Sequence, residues 1–105
     1  MTLVAFLSVA PVIENSMAGE VAKAVAALDD FDVEYETTPM GTIIETDDTS
    51  ELFAAVEAAH RAVEADRVST FLKIDDKRTI QQEAREKVES VEEHLGRPAK
   101  SERSE

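Results

Sequence analysis

Apolar and polar residues recur along this chain with two different periods. Four short segments are rich in β-branched and apolar residues or alternate with period two, and they predict strands at residues 2–10, 32–38, 42–46 and 68–75. Three longer segments repeat apolar residues three and four positions apart, and they predict helices at residues 17–29, 50–65 and 79–95.

The order of these elements predicts an α+β fold of the ferredoxin-like βαββαβ type, with one additional C-terminal helix. Right-handed crossovers place the first and third strands in the middle of a four-stranded antiparallel sheet. We expect residues 1–95 to form a single domain and the polar residues 96–105 to form a disordered tail.

The predicted boundaries depend on residues with special backbone or capping properties. Pro11 is expected to end the first strand, and Asn15 or Ser16 is expected to cap the first helix. The pair Asp47–Asp48 offers a cap for the second helix. The segment Pro39–Gly41 predicts a tight hairpin between the second and third strands.

Both faces of the first and fourth strands carry large apolar side chains, but one layer of helices covers only one face of a sheet. We therefore expect the second face to pack against another copy of the sheet. The third helix has a narrow apolar stripe suited to packing on a neighbouring subunit or on this face; its members are Ile80, Ala84, Val88, Val91 and Leu95.

The net charge of -12 is concentrated in the middle of the chain. Residues 14–66 hold fourteen acidic residues and two basic ones, whereas the remainder is balanced. Such acidity disfavours nucleic acid and anionic membranes as partners. Two interpretations stay open, a solvated surface suited to a salt-rich cytoplasm and a patch that attracts a cation, and solvation is the more common role of helix-face carboxylates.

The sequence predicts a cytoplasmic protein. It has no cysteine, and its apolar N-terminal run is as short as a buried strand and lacks a positively charged leader. No stretch approaches the roughly 20 apolar residues of a membrane span. We expect no membrane partner and no disulfide.

Topology brings two groups of polar residues to opposite edges of the predicted sheet. Residues 11–16 should face residues 38–42, next to the free amides of the first helix, which suggests either a small polar-ligand site or simply a cap and a turn. The segment Asp75–Arg78 could bind a cation or supply caps and ion pairs. His60 and His94 stand far apart without a zinc motif, so we expect no metal site, no cofactor and no enzyme activity.

Several segments resemble the small thiamine-binding protein family over residues 2–95. They are Ser8–Pro11, Tyr35–Glu45 with its Pro-Met-Gly-Thr hairpin, Ile74–Arg78 and Lys87–Glu92. This resemblance implies a ferredoxin-like fold and a homo-oligomer, typically a tetramer built from sheet-paired dimers. It also implies binding of thiamine, or of its hydroxymethylpyrimidine portion, without catalysis.

The resemblance favours the hairpin edge as the ligand site. The hydroxyl and backbone groups there fit an aminopyrimidine, and the candidate ligand-binding residues are Ser8, Ser16, Thr38, Met40, Gly41 and Thr42. The alternative is a structural or regulatory oligomer without a vitamin ligand, in which the same segments build interfaces.

Overall fold

The computed structural model describes residues 2–78 and 84–100 of the chain. Its elements, in chain order, are β1 (Thr2–Pro11), α1 (Ala18–Ala27), a short 3-10 helix (Leu28–Asp30), β2 (Glu34–Thr38), β3 (Gly41–Thr46), α2 (Thr49–Ala62), β4 (Val68–Lys77) and α3 (Ala84–Leu95). The predicted start of the third helix at residues 79–83, including Ile80, and the last tail residues 101–105 lie outside the described residues.

The four strands form one antiparallel sheet in the order β2-β3-β1-β4. The predicted α+β fold with β1 and β3 in the centre is therefore confirmed. Pro11 ends β1, as expected, but it is itself the last residue of the strand and lies opposite Val68, so β1 is one residue longer than the predicted 2–10. A proline has no amide hydrogen to donate, and this is tolerated at a strand end.

The core lies between the sheet and the two helices α1 and α2. Odd-numbered residues of β1 face the helices because side chains alternate along a strand, and Leu3, Ala5 and Leu7 are 1–4% exposed. Across the core, α2 contributes its fully buried face, consisting of Leu52, Ala55 and Ala59. The small alanines allow α2 to approach the sheet closely.

The two helices that cover the sheet begin differently. Asp48 caps α2 as predicted, because its Oδ1 accepts hydrogen bonds from the amides of Ser50 at 2.8 Å and Glu51 at 3.2 Å. The residue before α1 is Met17, which has no capping side chain, and Ser16 Oγ only accepts a long 3.4 Å bond from Ala18. The start of α1 is thus less firmly fixed than that of α2.

Tertiary contacts hold α1 in place instead. Glu20 Oε1 accepts a 2.7 Å hydrogen bond from the Glu64 amide after α2, and Glu20 Oε2 pairs with Lys23 at 2.9 Å. These two donors lower the pKa of Glu20, the ammonium of Lys23 having the larger effect, and the carboxylate in turn raises the pKa of Lys23.

The face of the sheet opposite α1 and α2 is only partly covered. We call it the open face; its apolar members are Val4, Phe6, Ile43 and Phe71. The rings of Phe6 and Phe71 meet edge to face with centroids 6.0 Å apart, and Phe71 remains 58% exposed. Helix α3 contacts one end of this face, where Lys87 pairs with Asp75 and lowers the pKa of that carboxyl group.

Helix α3 leaves its own apolar stripe in solvent. Its first described amide, that of Ala84, donates to Glu45 Oε1 on β3 at 2.9 Å. Further along, Val88, Val91 and Leu95 are 37–55% exposed. Part of the predicted tail returns to this helix, since the Ala99 amide donates to Glu92 Oε2 at 2.6 Å. Within the described residues, no helix is both long and apolar enough to cross a bilayer.

Candidate ligand-binding site

A pocket of about 200 Å³ lies at the sheet edge formed by the end of β1, the start of α1 and the β2–β3 hairpin. This is the edge at which the sequence predicted a ligand site. The residues lining it come from β1, from α1 and the 3-10 helix, and from the hairpin: Leu7, Ser8, Val9, Ala10, Met17, Val21, Ala24, Val25, Leu28, Thr37, Thr38, Pro39, Met40, Gly41 and Thr42.

Strand alternation decides which of these side chains point into the pocket. Leu7 and Val9 share the helix-covered face with Thr42, which lies directly opposite Leu7. On the next strand, Thr37 lies opposite Thr42, so two threonine side chains stand side by side on this face. Thr42 is 6% exposed, whereas Thr37 is exposed at the edge. The pocket thus has an apolar floor and a polar hairpin wall.

Among the described lining residues, Thr37 is the residue with a side-chain hydroxyl that the sequence prediction missed; apolar lining residues such as Leu7 and Met17 were not predicted either. Its alternation with Tyr35 already placed it on one face of β2, and its position opposite Thr42 follows from a tight hairpin. The period-two pattern therefore indicates the face of β2 on which Thr37 lies. Placing Thr37 in the ligand site requires, in addition, the exact register of the hairpin.

The hairpin turn itself is organised by Thr38. Its hydroxyl donates to the Gly41 carbonyl at 2.7 Å and accepts from the amides of Met40 and Gly41, each at 3.2 Å. One donor and two acceptor sites are all that a hydroxyl offers. The Thr38 hydroxyl is therefore fully used in shaping the turn.

Gly41 permits a close approach between the hairpin and β1. A Cβ atom at this position would lie 2.6 Å from Phe6 Cζ and 2.9 Å from the Leu7 carbonyl oxygen. Real Cβ atoms do not come so close to other heavy atoms, so a side chain here would force a shift. The backbone of Gly41 therefore lies between the pocket on one side and the Phe6 ring of the open face on the other.

Five of the six predicted site residues line this pocket: Ser8, Thr38, Met40, Gly41 and Thr42. Ser8 is adjacent to Leu7 and Val9 on β1, so alternation turns its side chain toward the open face, and it borders the pocket through the strand backbone. Ser16 is not among the lining residues, and its hydroxyl is engaged with the amide of Ala18.

No charged side chain occurs among the described residues that line the pocket. Because the Thr38 hydroxyl is used within the turn and Ser8 faces the open face, the side-chain hydroxyls available to a ligand are those of Thr37 and Thr42, next to backbone groups of the hairpin. Such a lining suits a neutral, flat molecule with a few hydrogen-bonding groups, because an unpaired charge would lose its hydration on entering it.

A second cleft, at the opposite edge of the sheet, is acidic. It is lined by Thr2, Asp32, Val33, Glu34, Glu45, Thr46, Asp47 and Asp48. Two of these carboxylates serve local structure, since Asp48 caps α2 and Glu45 accepts from the Ala84 amide. Among residues 2–78 and 84–100, no group of three acidic, histidine or cysteine side chains is placed to hold a metal ion.

The other candidate residues also have structural partners. Asp75 pairs with Lys87, and Asp76 Oδ2 lies 2.8 Å from Arg78 Nε. His60 Nδ1 and Thr70 Oγ1 are 2.5 Å apart, which links α2 to β4. His94 Nδ1 lies 2.9 Å from the Ser90 carbonyl oxygen one turn earlier. The two ion pairs favour the ion-pair interpretation of the Asp75–Arg78 segment.

Comparison with known proteins identifies the family. A family model described as thiamine-binding protein matches residues 5–92, which include most of β1, the hairpin and most of α3. The chain belongs to the thiamine-binding protein family. The resemblance seen in the sequence is thereby confirmed.

The relatives of this chain match it over most of its length. A UPF0045 protein of Methanothermobacter thermautotrophicus is 49% identical over 84 residues, which span 77% of this chain and 85% of that protein. A hypothetical protein of Methanocaldococcus jannaschii has a similar crystal structure, with a TM-score of 0.80, 32% identity and coverage of 88% of this chain and 97% of that one.

A third protein of this fold, from Thermotoga maritima, is provisionally assigned to thiamine biosynthesis or salvage. Its structure gives a TM-score of 0.74 at 23% identity, covering 87% of this chain and 99% of that one. At this identity the comparison concerns the fold alone.

Proposed function

We propose that this protein binds thiamine, or its hydroxymethylpyrimidine portion, without catalysis, as a cytoplasmic homo-oligomer. The observation that carries the proposal is the uncharged pocket at the hairpin, in a chain that belongs to the thiamine-binding family. The predicted residues Ser8, Thr38, Met40, Gly41 and Thr42 border it. Ser16 is retained only as a support for the start of α1.

The size and lining of the pocket favour one ring of the vitamin. At about 200 Å³ it is smaller than the roughly 300–1,000 Å³ of most small-molecule clefts. The aminopyrimidine ring is neutral and carries both donors and acceptors, which match the hydroxyl and backbone groups of the hairpin. The thiazolium ring carries a positive charge, and outside the pocket it would meet the field of a protein with a net charge of -12.

The absence of an acid or base at the pocket supports binding rather than catalysis. None of the described lining residues has a side chain that titrates near neutral pH. General acid–base chemistry needs such a group within hydrogen-bond reach of the substrate. Hydroxyls are present, but no histidine, lysine or carboxylate lies in the lining to activate them.

Self-association through the open face is the second part of the proposal. Phe71 on β4 and Val91 on α3 are more than half exposed, although both are large and apolar. A second copy of the sheet would bury them, and sheet-paired dimers could then form a tetramer. The same exposed surface favours the alternative function, a structural or regulatory oligomer that binds no vitamin.

Isothermal titration calorimetry with thiamine, and then with hydroxymethylpyrimidine, separates these two functions. We expect heat with at least one compound. Thr42→Val keeps the shape of the side chain but removes its hydroxyl, and we expect it to weaken binding by about 1 kcal/mol through a lost hydrogen bond. Thr49→Val makes the same change at an exposed position at the start of α2, outside the pocket lining, and is the matched control. An intact oligomer that gives no heat at millimolar ligand would refute the vitamin-binding function.

A further inference from the structure

Two methionines at the pocket are unusually exposed. Met17, before α1, is 48% exposed, and Met40, in the hairpin turn, is 80% exposed. They are the only large exposed apolar residues, within the described part of the chain, that also line the pocket. A single exposed apolar side chain needs no explanation, but two at one pocket, supplied by different elements, indicate a shared partner.

We propose that Met17 and Met40 form a clamp that closes over a flat heteroaromatic ring in the pocket. This inference rests on the proposed function and adds the residues that hold the ligand in place. Methionine has a flexible, unbranched side chain and a polarizable sulfur that makes favourable contacts with aromatic rings. Two such side chains can cover a ring without a movement of the backbone.

A backbone hydrogen bond holds each of the two positions, so closure requires a rotation of the side chains and no rearrangement of a loop. The Met40 amide donates to Thr38 Oγ1 at 3.2 Å inside the hairpin turn. The Met17 carbonyl accepts a 2.9 Å hydrogen bond from the Val21 amide and starts the hydrogen-bond ladder of α1. Ordering a side chain costs far less conformational entropy than ordering a loop, which favours this kind of closure.

The clamp would close the side of the pocket that faces solvent. A ring placed on Leu7 and Val9 would already be bordered by apolar residues of α1 and by the hairpin, and the two exposed methionines lie where this lining meets solvent. Rotation of the two thioethers onto its outer surface would exclude water and complete the enclosure. A ligand held in this way leaves mainly when the methionines open, so the clamp acts chiefly on the dissociation rate.

Four variants test the clamp: Met17→Ala, Met40→Ala, and the conservative Met17→Leu and Met40→Leu. The probes are thiamine and hydroxymethylpyrimidine, with Kd from calorimetry and the dissociation rate from stopped-flow fluorescence or competition. We expect each alanine to raise Kd roughly 3- to 10-fold, mainly through faster dissociation. Each leucine should restore most of the affinity because it retains the apolar volume.

Two controls separate a clamp from a structural role. Phe53 on α2 is 51% exposed and does not line the pocket, so Phe53→Ala should leave Kd unchanged. Because Met40 is largely solvated, Met40→Ala should leave the urea midpoint of unfolding unchanged as well. In a sample with 13C-labelled methionine methyl groups, assigned with the leucine variants, the signals of Met17 and Met40 should both shift on ligand addition.

The outcomes distinguish the clamp from the function on which it rests. If the wild-type protein binds neither probe, the proposed function and the clamp are both refuted. If it binds but both alanine variants keep the wild-type Kd and dissociation rate, the clamp alone is wrong. If the alanine variants raised Kd and also lowered the urea midpoint of unfolding, the clamp would be refuted as well, because the methionines would then act through the stability of the fold.

Discussion

Replacing Gly41 with alanine tests how closely the hairpin packs on β1. The new Cβ would lie 2.6 Å from Phe6 Cζ and 2.9 Å from the Leu7 carbonyl oxygen. The Phe6 ring is the end of a side chain and can rotate away, but the carbonyl belongs to a central strand paired on both sides. The hairpin must therefore move relative to β1.

The expected cost follows from these two contacts. Forcing an extra carbon atom into a packed position typically destabilises a protein by about 1–3 kcal/mol. For a domain of this size, each kcal/mol corresponds to a fall of about 4–8 °C in Tm. Truncating the ring in a Phe6→Ala background should reduce the penalty of Gly41→Ala without removing it, because the clash with the Leu7 carbonyl remains.

The assay is thermal and urea unfolding followed by circular dichroism, at one protein concentration because assembly shifts the apparent stability. Gly19→Ala is the matched control. A Cβ at Gly19 meets nothing within 4 Å, and alanine in a helix is favoured over glycine by up to about 1 kcal/mol. If Gly41→Ala were as stable as the wild-type protein, the close packing of the hairpin on β1 would be refuted.

Two further predictions concern assembly and pH. Phe71→Glu places a charge among the apolar residues of the open face and should yield smaller species in size-exclusion chromatography with light scattering. The control Phe53→Glu, on α2, should elute like the parent protein. Identical elution of both variants would argue against assembly through the open face. Because its contacts lower the pKa of Glu20, the stability that Glu20 contributes is present above its unfolded pKa and is lost as the pH falls through the folded value. The difference in urea midpoint between wild type and Glu20→Gln should therefore shrink between about pH 7 and about pH 3, and a constant difference would assign the effect to packing.

The element order and the sheet topology could be predicted from the sequence because both depend on local patterns. Alternation over residues 32–38 and the proline and glycine of the hairpin identify β2 and β3, and a right-handed crossover then fixes their places. The ends of the elements differ by a few residues. For α2 the helix ends at Ala62 rather than at residue 65, since Val63 is already in an extended conformation.

The features that could not be predicted depend on contacts between residues that are far apart in the sequence. A local capping rule places Glu20 at the start of α1, yet its carboxylate binds the amide of Glu64, 44 residues away. Likewise, Met17 belongs to the apolar stripe of α1 by its spacing, but it lies at the free end of the helix and stays half exposed. Periodicity reports which face a residue occupies and not whether anything covers that face.

The contact between Gly41 and Phe6 has a practical consequence for mutagenesis. Gly41 borders the pocket, while the ring of Phe6 lies on the open face against Phe71. A substitution at Phe6 that is designed to disrupt assembly would also remove a support beneath the hairpin and alter the ligand site. Phe71 is not among the nearest atoms to Gly41, so a substitution there tests the proposed assembly separately from the proposed ligand binding.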